Sequence, residues 1–234
     1  MNDIFDYEHP FVCTDAVVFT FKTRQAESYR KLPALELNVL LYQREEEPFN
    51  GQWCLPGGFL NIDELPEHNV RRKIQQKVQI DQCYLEQLYT FCDPQRDPRA
   101  RVISISYLGL LTEDDSANTG VGKQWFTLQP QPDGSLRLAC GEITLQESDL
   151  AFDHCQIIQA ALERLRAKIL YSPIIFYLMP ETFTLTQLQN AYETILGRKE
   201  QAANFRRKIG DLVKETDQYI ADKGHRPAQL FTKR

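Results

Sequence analysis

The sequence contains no run of apolar residues long enough to cross a membrane. Its longest candidate, from Ile169 to Met179, is interrupted by Ser172 and Pro173 and falls short of the roughly 20 residues that a spanning helix needs. The N-terminal residues are acidic and lack the basic and then apolar order of a secretory signal. We therefore expect a cytoplasmic protein that has no membrane partner.

Paired cysteines are also lacking. The six cysteines are scattered, form no C-x-x-C motif and have no histidine at zinc spacing. Such cysteines are typical of free, mostly buried thiols in a reducing compartment. We therefore expect neither a metal site nor a bound cofactor.

The chain as a whole has no excess of basic residues, because 27 Lys and Arg against 32 Asp and Glu give a net charge of −5. The charge is unevenly distributed. From Arg198 to Arg234 ten residues are basic and five are acidic, so this segment carries +5 and the preceding chain carries −10. Such asymmetry favours a C-terminal module that binds nucleic acid, although a solvated charged surface is the simpler interpretation.

The first 150 residues have patterns typical of a mixed α/β domain. A helix is predicted over residues 65–77, because Val70, Ile74 and Val78 recur every four residues. Strands are predicted at the apolar runs 16–21, 35–42, 85–92, 102–111 and 123–127, and a hairpin at 136–145. We therefore place one domain at residues 1–150.

Helical patterns dominate the next part of the chain. A helix is predicted over 153–171, within a linker region at residues 151–180. A second helix is predicted to begin at a capping box formed by Thr184 and Gln187 and to end at Gly197.

A compact, arginine-rich helix is predicted over 200–209, with Ala203, Phe205 and Ile209 facing inward. The polar residues 212–231 follow as a strand-like hairpin with a basic, glycine-containing centre. Two helices and a basic hairpin form the outline of a winged helix-turn-helix. In such a module the second helix enters the major groove of DNA, and cations on the helix and the wing neutralise phosphates.

A glycine- and proline-rich segment before the first helix carries the most specific motif. Residues 53–59 read W-C-L-P-G-G-F, and Gly58, Glu64 and Arg72 have the spacing G-x5-E-x7-R. This string resembles the first half of the Nudix box, G-x5-E-x7-R-E-U-x-E-E-x-G-U, where U is a bulky apolar residue. The resemblance implies a Nudix α/β/α sandwich with a mixed sheet.

The second half of the motif differs from the family. Lys73, Gln76 and Lys77 stand where the family has glutamates, which hold the Mg²⁺ or Mn²⁺ needed for hydrolysis. Their spacing predicts one helix face, and that face carries +2 instead of three negative charges. It suits a pyrophosphate better than a hard cation. We predict binding without catalytic residues or turnover; a degraded enzyme whose pocket binds nothing is the alternative.

Other segments are similar to the ligand site of ADP-ribose pyrophosphatases. Residues 93–102 resemble the segment D-P-R-G-R-V-I, and Gln43-Arg44 matches a Q-R segment of this lineage. The arginines suit phosphate, and pairing with carboxylates is an equally good interpretation of each. The resemblance implies ligand contacts from Arg44, Phe49, Trp53, Gly57, Gly58, Phe59, Lys73, Lys77, Arg96, Arg99 and Arg101.

A Nudix-like domain followed by a winged helix, here at residues 181–234, resembles the Nudix-related transcriptional regulators, of which the NrtR repressors are one branch. The resemblance implies a homodimer that binds ADP-ribose or a related nucleotide or sugar metabolite. It also implies that the winged helices bind a palindromic operator in double-stranded DNA, as a repressor does. The DNA contacts implied are Asn204, Arg206, Arg207, Lys208, His225 and Arg226.

Three further interpretations concern the chemistry of the first domain. An active ADP-ribose pyrophosphatase would need metal ligands elsewhere, such as Glu64, Glu67 or the acidic cluster at residues 113–115. A regulator of the same architecture could instead respond to a pentose such as arabinose. His154, near the start of the linker helix, is interpreted as a packing or capping residue and not as a catalytic base.

Overall fold

The computed structural model describes residues 3, 6–24, 34–116, 122–220 and 227–234. The strands in these ranges are β1 (Phe11–Arg24), β2 (Ala34–Gln43), β3 (Trp53–Cys54), β4 (Gly57–Phe59), β5 (Tyr84–Phe91), β6 (Val102–Leu110), β7 (Lys123–Pro130), β8 (Leu136–Cys140), β9 (Ile143–Leu145), β10 (Val213–Ile220) and β11 (Ala228–Lys233). The helices are α1 (Pro66–Val78), α2 (His154–Lys168), α3 (Leu185–Leu196) and α4 (Ala202–Ile209). No helix among these residues is long and apolar enough to span a bilayer.

Nine of the strands form one mixed sheet. The order is β5-β6-β1-β2-β7-β8-β9, with β3 paired to β2 and β4 paired to β1. β1 and β6 run parallel, whereas β5 and β6 are antiparallel. The middle of β1 is fully buried, from Ala16 to Phe19, which explains why its sequence is an unbroken apolar run. The mixed α/β class predicted from the sequence is confirmed.

The chain divides into two compact units. The first comprises Met1–Phe19, Val39–Leu110 and Asn118–Ala161, and the second comprises Thr20–Asn38, Leu111–Ala117 and Leu162–Arg234. The second unit therefore includes the C-terminal part of β1 and the N-terminal part of β2, as well as α3, α4, β10 and β11. The proposed domain boundaries at residues 150 and 180 remain predictions.

Helix α1 follows from its sequence. Pro66 occupies the first turn, where its fixed φ and missing N–H are no disadvantage, and Gln79 ends the helix in the left-handed region with φ 58°. Val70, Ile74 and Val78 are buried, as their spacing predicts. The remaining faces are free to present charged side chains.

Helix α2 is shorter than predicted. It covers His154–Lys168 instead of residues 153–171, and the hydroxyl of Ser172 donates to the carbonyl of Lys168 just beyond its end. A 3-10 turn at Pro173–Tyr177 follows. The apolar residues after Lys168 therefore belong to this turn region and not to the helix.

The ends of α3 agree with the sequence-based prediction. The N–H of Gln187 donates to the hydroxyl of Thr184 at 3.1 Å, and the N–H of Thr184 donates to the side-chain carbonyl of Gln187 at 2.8 Å. Gly197 ends the helix with φ 67°, a conformation that favours glycine. A cap of this kind stabilises a helix by about 1 kcal/mol.

Helix α4 is packed through two residues. Phe205 and Ile209 are buried, and the ring of Phe205 meets the ring of Tyr192 edge-on with centroids 5.2 Å apart. The prediction that Ala203 faces inward is wrong, because it is exposed. Residues two apart on a helix lie on different faces, so the buried stripe has i, i+4 spacing and excludes position 203. The helix begins at Ala202 instead of residue 200.

Candidate ligand pocket and nucleic-acid surface

A pocket of about 320 Å³ lies in the first unit. Eight of the eleven predicted ligand residues line it: Arg44, Gly57, Gly58, Phe59, Lys73, Lys77, Arg96 and Arg99. The other three do not. Phe49 packs on the ring of Phe152, Trp53 packs on Phe126, and exposed Arg101 donates to the carbonyl of Cys92 at 2.6 Å. The ligand contacts themselves remain predictions.

Glycines 57 and 58 permit close approaches in the pocket wall. A Cβ on Gly57 would lie 2.2 Å from Oδ1 of Asp15, and a Cβ on Gly58 would lie 2.7 Å from Cε of Lys73. Gly58 also has φ 156°, which L side chains rarely adopt. The G-G pair therefore leaves space for an acidic side chain on one side and a lysine on the other.

The two lysines of α1 bring positive charge to the pocket. Burial, followed by the positive charges of Arg72 and Lys77, lowers the pKa of Lys73. Nζ of Lys77 lies 5.3 Å from the ring centroid of Tyr42. An anionic ligand would relieve the repulsion between these cations.

Gln76 is absent from the pocket wall, so the prediction that residues 73, 76 and 77 share one working face is wrong in part. Its side chain is exposed and accepts a hydrogen bond from Arg72 at 3.4 Å. Gln76 and Lys77 are successive residues and so point about 100° apart around the helix axis, and here only the pair with i, i+4 spacing, Lys73 and Lys77, faces the pocket.

Glu64 is held by an arginine of its own helix region. Arg72 donates from Nε to Oε1 at 2.8 Å and from Nη2 to Oε2 at 2.6 Å, and Asn69 donates to Oε2 at 2.8 Å. The hydrogen bonds from Arg72 lower the pKa of Glu64 from 4.5 to about 2. Both carboxylate oxygens are therefore already engaged.

The donor set does not fit the divalent cation that a Nudix box implies. Oxygen ligands are what Mg²⁺ requires, and α1 offers two ammonium groups to the pocket instead. Glu67 pairs with Arg71 at 3.2 Å, and Glu113 in the second unit accepts from the N–H and the hydroxyl of Thr23. Among the described ranges, no group of three His, Cys, Asp or Glu residues is placed to hold a metal ion.

Two of the predicted phosphate-binding arginines pair with carboxylates, as the alternative interpretation holds. Arg96 is buried and donates to both oxygens of Asp153 at 2.9 and 2.7 Å. Arg99 donates to both oxygens of Asp97 at 3.0 and 2.7 Å, and its own side chain is 43% exposed. Arg99 can therefore still meet a ligand, whereas the guanidinium of Arg96 is largely occupied.

Aromatic rings form part of the same wall. Phe59 is 43% exposed, and the guanidinium of Arg99 lies 5.4 Å from its ring centroid and 5.7 Å from that of Phe152. The guanidinium of Arg44 lies 5.0 Å from the ring of Phe152. A partly exposed ring beside cations suits a planar base that carries phosphates.

Several residues that line the pocket have no signal in the sequence. Asp15, Phe152 and His154 line the pocket, together with Cys13 and Asn61. The pairing of β1 with β4 places Asp15 opposite Gly57, a contact across the sheet that no local pattern reports. His154 is buried, in agreement with a packing role, yet it also faces the pocket.

The predicted DNA contacts on α4 are exposed in the second unit. Asn204, Arg206, Arg207 and Lys208 all lie on its solvent face. Arg207 donates to Oδ1 of Asn204 at 3.4 Å, and Nζ of Lys208 lies 4.8 Å from the ring of Tyr192. Strands β10 and β11 pair as an antiparallel hairpin. His225 and Arg226, predicted for its tip, lie outside the described residues.

Comparisons with known proteins match both parts of the chain. The NUDIX domain profile matches residues 30–132, and the profile of the NrtR DNA-binding winged helix domain matches residues 175–232. The ADPR responsive transcriptional repressor NtrR of Acinetobacter baylyi is 35% identical, over 97% of this chain and 83% of its own. The chain belongs to the NrtR family.

Solved structures agree with this membership. The crystal structure of Shewanella oneidensis NrtR complexed with a 27mer DNA is 32% identical, covers 95% of this chain and 93% of its own, and has a TM-score of 0.72. A MutT/nudix family protein from Enterococcus faecalis is 26% identical, covers 100% and 90%, and has a TM-score of 0.78. The predicted Nudix domain followed by a winged helix is therefore confirmed for this member of the NrtR family.

Proposed function

We propose that this NrtR-family protein is a cytoplasmic, homodimeric transcriptional repressor that responds to ADP-ribose or a related metabolite. Residues 1–150 would sense the ligand and dimerise, residues 151–180 would link, and residues 181–234 would bind a palindromic operator. The observation that carries the proposal is that Lys73 and Lys77 line the pocket at positions where a Nudix box has metal-binding glutamates. The same chain also matches a DNA-binding winged helix.

The pocket has the properties of an ADP-ribose site that works without metal. Its volume of about 320 Å³ lies within the roughly 300–1,000 Å³ of small-molecule sites. Lys73 and Lys77 can bind a pyrophosphate by charge-assisted hydrogen bonds, and Phe59 offers a ring face to an adenine. The Acinetobacter baylyi relative is an ADPR-responsive repressor by name, which supports ADP-ribose over a free pentose.

Operator binding would depend on α4 and the β10–β11 hairpin. Exposed Arg206 and Arg207 on α4 can reach phosphates and base edges in a major groove. The Shewanella oneidensis NrtR structure contains DNA, which supports this role for the winged helix. A ligand that lowers operator affinity tenfold needs a coupling free energy of about 1.4 kcal/mol between the two sites.

An electrophoretic mobility shift assay tests the proposal. The full chain is titrated against DNA from upstream of its own gene, with and without ADP-ribose and with EDTA present. We expect a sequence-specific shift that ADP-ribose reverses without added metal. Failure to shift this DNA at low salt would contradict the repressor, and release of AMP from ADP-ribose with Mg²⁺ or Mn²⁺ would support the hydrolase instead.

Charge-reversal variants of α1 link the response to the pocket. Lys77→Glu should raise the ADP-ribose concentration needed for release at least about tenfold, because a cation near the phosphates becomes an anion. Arg71→Glu is the matched control, since Arg71 lies on the same helix, is 45% exposed and does not line the pocket. An equal change in both variants would place the phosphates elsewhere.

A further inference from the structure

Two side chains face each other across the pocket floor without bonding. Nε2 of His154 lies 3.7 Å from Oδ1 of Asp15, beyond the distance of a good hydrogen bond. Their side chains are only 5% and 8% exposed. Both residues line the pocket, so a ligand atom that enters this deeply meets them together.

The hydrogen bonds of His154 fix which ring nitrogen carries the proton. The backbone N–H of Leu55 donates to Nδ1 at 3.0 Å, so in the neutral ring Nδ1 is the acceptor and Nε2 carries the hydrogen. Burial lowers the pKa of His154, which keeps the ring neutral. Nε2–H is therefore a donor that has no acceptor within hydrogen-bond distance among the described residues.

The two carboxylate oxygens of Asp15 also differ in whether they accept a hydrogen bond. Oδ2 accepts from the hydroxyl of Ser104 at 2.6 Å and is 3.4 Å from Nη2 of Arg96. Oδ1 accepts no hydrogen bond within the described part of the chain, and it lies so close to the backbone of Gly57 that a Cβ there would come within 2.2 Å of it. A buried carboxylate oxygen is therefore available to a donor.

We propose that Asp15 Oδ1 and His154 Nε2 form a binding site for a sugar hydroxyl, which rests on the proposed function of the pocket. A hydroxyl donates one hydrogen bond and accepts others, and its oxygen can lie about 2.8 Å from both atoms when they are 3.7 Å apart. The hydroxyl donates to the carboxylate and accepts from the imidazole. A phosphate oxygen is a poor match, because it cannot donate to Asp15.

This site determines the orientation of the bound ligand. The carboxylate floor repels phosphate, whereas Lys73 and Lys77 attract it. A nucleoside diphosphate that ends in a sugar therefore places its pyrophosphate against α1 and its terminal sugar on the floor. ADP-ribose should bind more tightly than ADP, which shares the adenosine and both phosphates and lacks the second sugar.

Isothermal titration calorimetry of the full chain tests the site with three probes: ADP-ribose, ADP and free arabinose. We expect the wild type to prefer ADP-ribose over ADP at least about tenfold. Asp15→Asn and His154→Gln should each lower the affinity for ADP-ribose by about tenfold or more and change the affinity for ADP by less than about twofold. Asp63→Asn and His68→Gln are matched controls at exposed positions outside the pocket and should change neither. Circular dichroism melts establish that each variant is folded.

The outcomes separate this site from the proposed effector. An equal loss of affinity for ADP-ribose and for ADP in both variants would overturn the hydroxyl site and leave ADP-ribose as the effector. Binding of arabinose but not of ADP-ribose, weakened in both variants, would overturn the effector and support the hydroxyl site. Binding of no probe by the folded wild type would overturn both.

Discussion

Glu64 occupies a position of the Nudix box, but its carboxylate has a structural role in this protein. In a Nudix box this glutamate belongs to the conserved spacing, whereas here its oxygens are fixed by Arg72 and Asn69. The carboxylate therefore stabilises the entry into α1 and is not available as a metal ligand. Its charge state should be visible in the stability of the protein.

The lowered pKa of Glu64 predicts a specific pH dependence. Because the pKa falls from 4.5 to about 2 on folding, the ion pair with Arg72 stabilises the fold fully above pH 4.5 and loses its effect as pH falls toward 2. Denaturant unfolding of wild type and Arg72→Gln between pH 7 and pH 2 should show a difference that shrinks over this interval. Arg71→Gln, which breaks an exposed i, i+4 pair, should have a small effect. A difference between wild type and Arg72→Gln that is the same at all pH values would contradict this assignment.

Single residues differ in how far the sequence could place them in the pocket. Gly57, Gly58 and Phe59 follow from a contiguous motif, and Lys73 and Lys77 follow from helical spacing. Asp15 and His154 lie far apart along the chain and meet only when the sheet and α2 form. Their types, one acid and one histidine among many polar residues, carry no local signal.

At the scale of elements, α4 makes the clearest prediction about DNA. Arg206 and Arg207 are exposed and Phe205 is buried, so replacing both arginines with alanine should leave the packing of α4 intact. Each phosphate contact contributes about 0.9 to the slope of log K against log salt concentration. We expect Arg206→Ala/Arg207→Ala to weaken operator binding and to reduce this slope by about 2, with thermal melting unchanged within about 2 °C.

Fluorescence anisotropy with labelled operator DNA over a range of salt concentrations measures this slope. Arg137→Ala is the control, because Arg137 is exposed on β8 of the first unit. An unchanged slope in the double variant would show that other cations contact the phosphates. Parallel loss of ADP-ribose binding would indicate a folding defect.

Elements were predictable in proportion to the periodicity of their buried residues. Helices α1 and α3 have buried apolar stripes, α1 begins with a proline in its first turn, α3 begins with a capping box, and their ends were predicted within one or two residues. Strand β10 is mostly exposed beyond Val213, so its sequence lacks the alternation that marks a half-buried strand. The hairpin could therefore be predicted only as strand-like.

Over the whole molecule, net charge and local charge point in opposite directions. The residues before Arg198 carry −10, yet five cationic and three acidic residues line the pocket among them. Short-range placement of Lys73 and Lys77 therefore matters more for an anionic ligand than the long-range field, which salt screens within about 8–10 Å. Counting charge by segment identified the basic C-terminal segment, whereas the cationic wall follows from the helical spacing of Lys73 and Lys77 and not from any sum of charges.

Reciprocity between the two ligands is the prediction that belongs to the entire protein. If ADP-ribose lowers operator affinity by a given factor, bound operator must lower ADP-ribose affinity by the same factor, because the coupling free energy is shared. Calorimetric titration of ADP-ribose into the protein with and without saturating operator measures one factor, and anisotropy with and without ADP-ribose measures the other. Arg206→Ala/Arg207→Ala is the control, since operator at the same concentration should no longer change its ADP-ribose affinity. An ADP-ribose affinity that operator leaves unchanged in the wild type would contradict a switch in which one molecule binds both ligands.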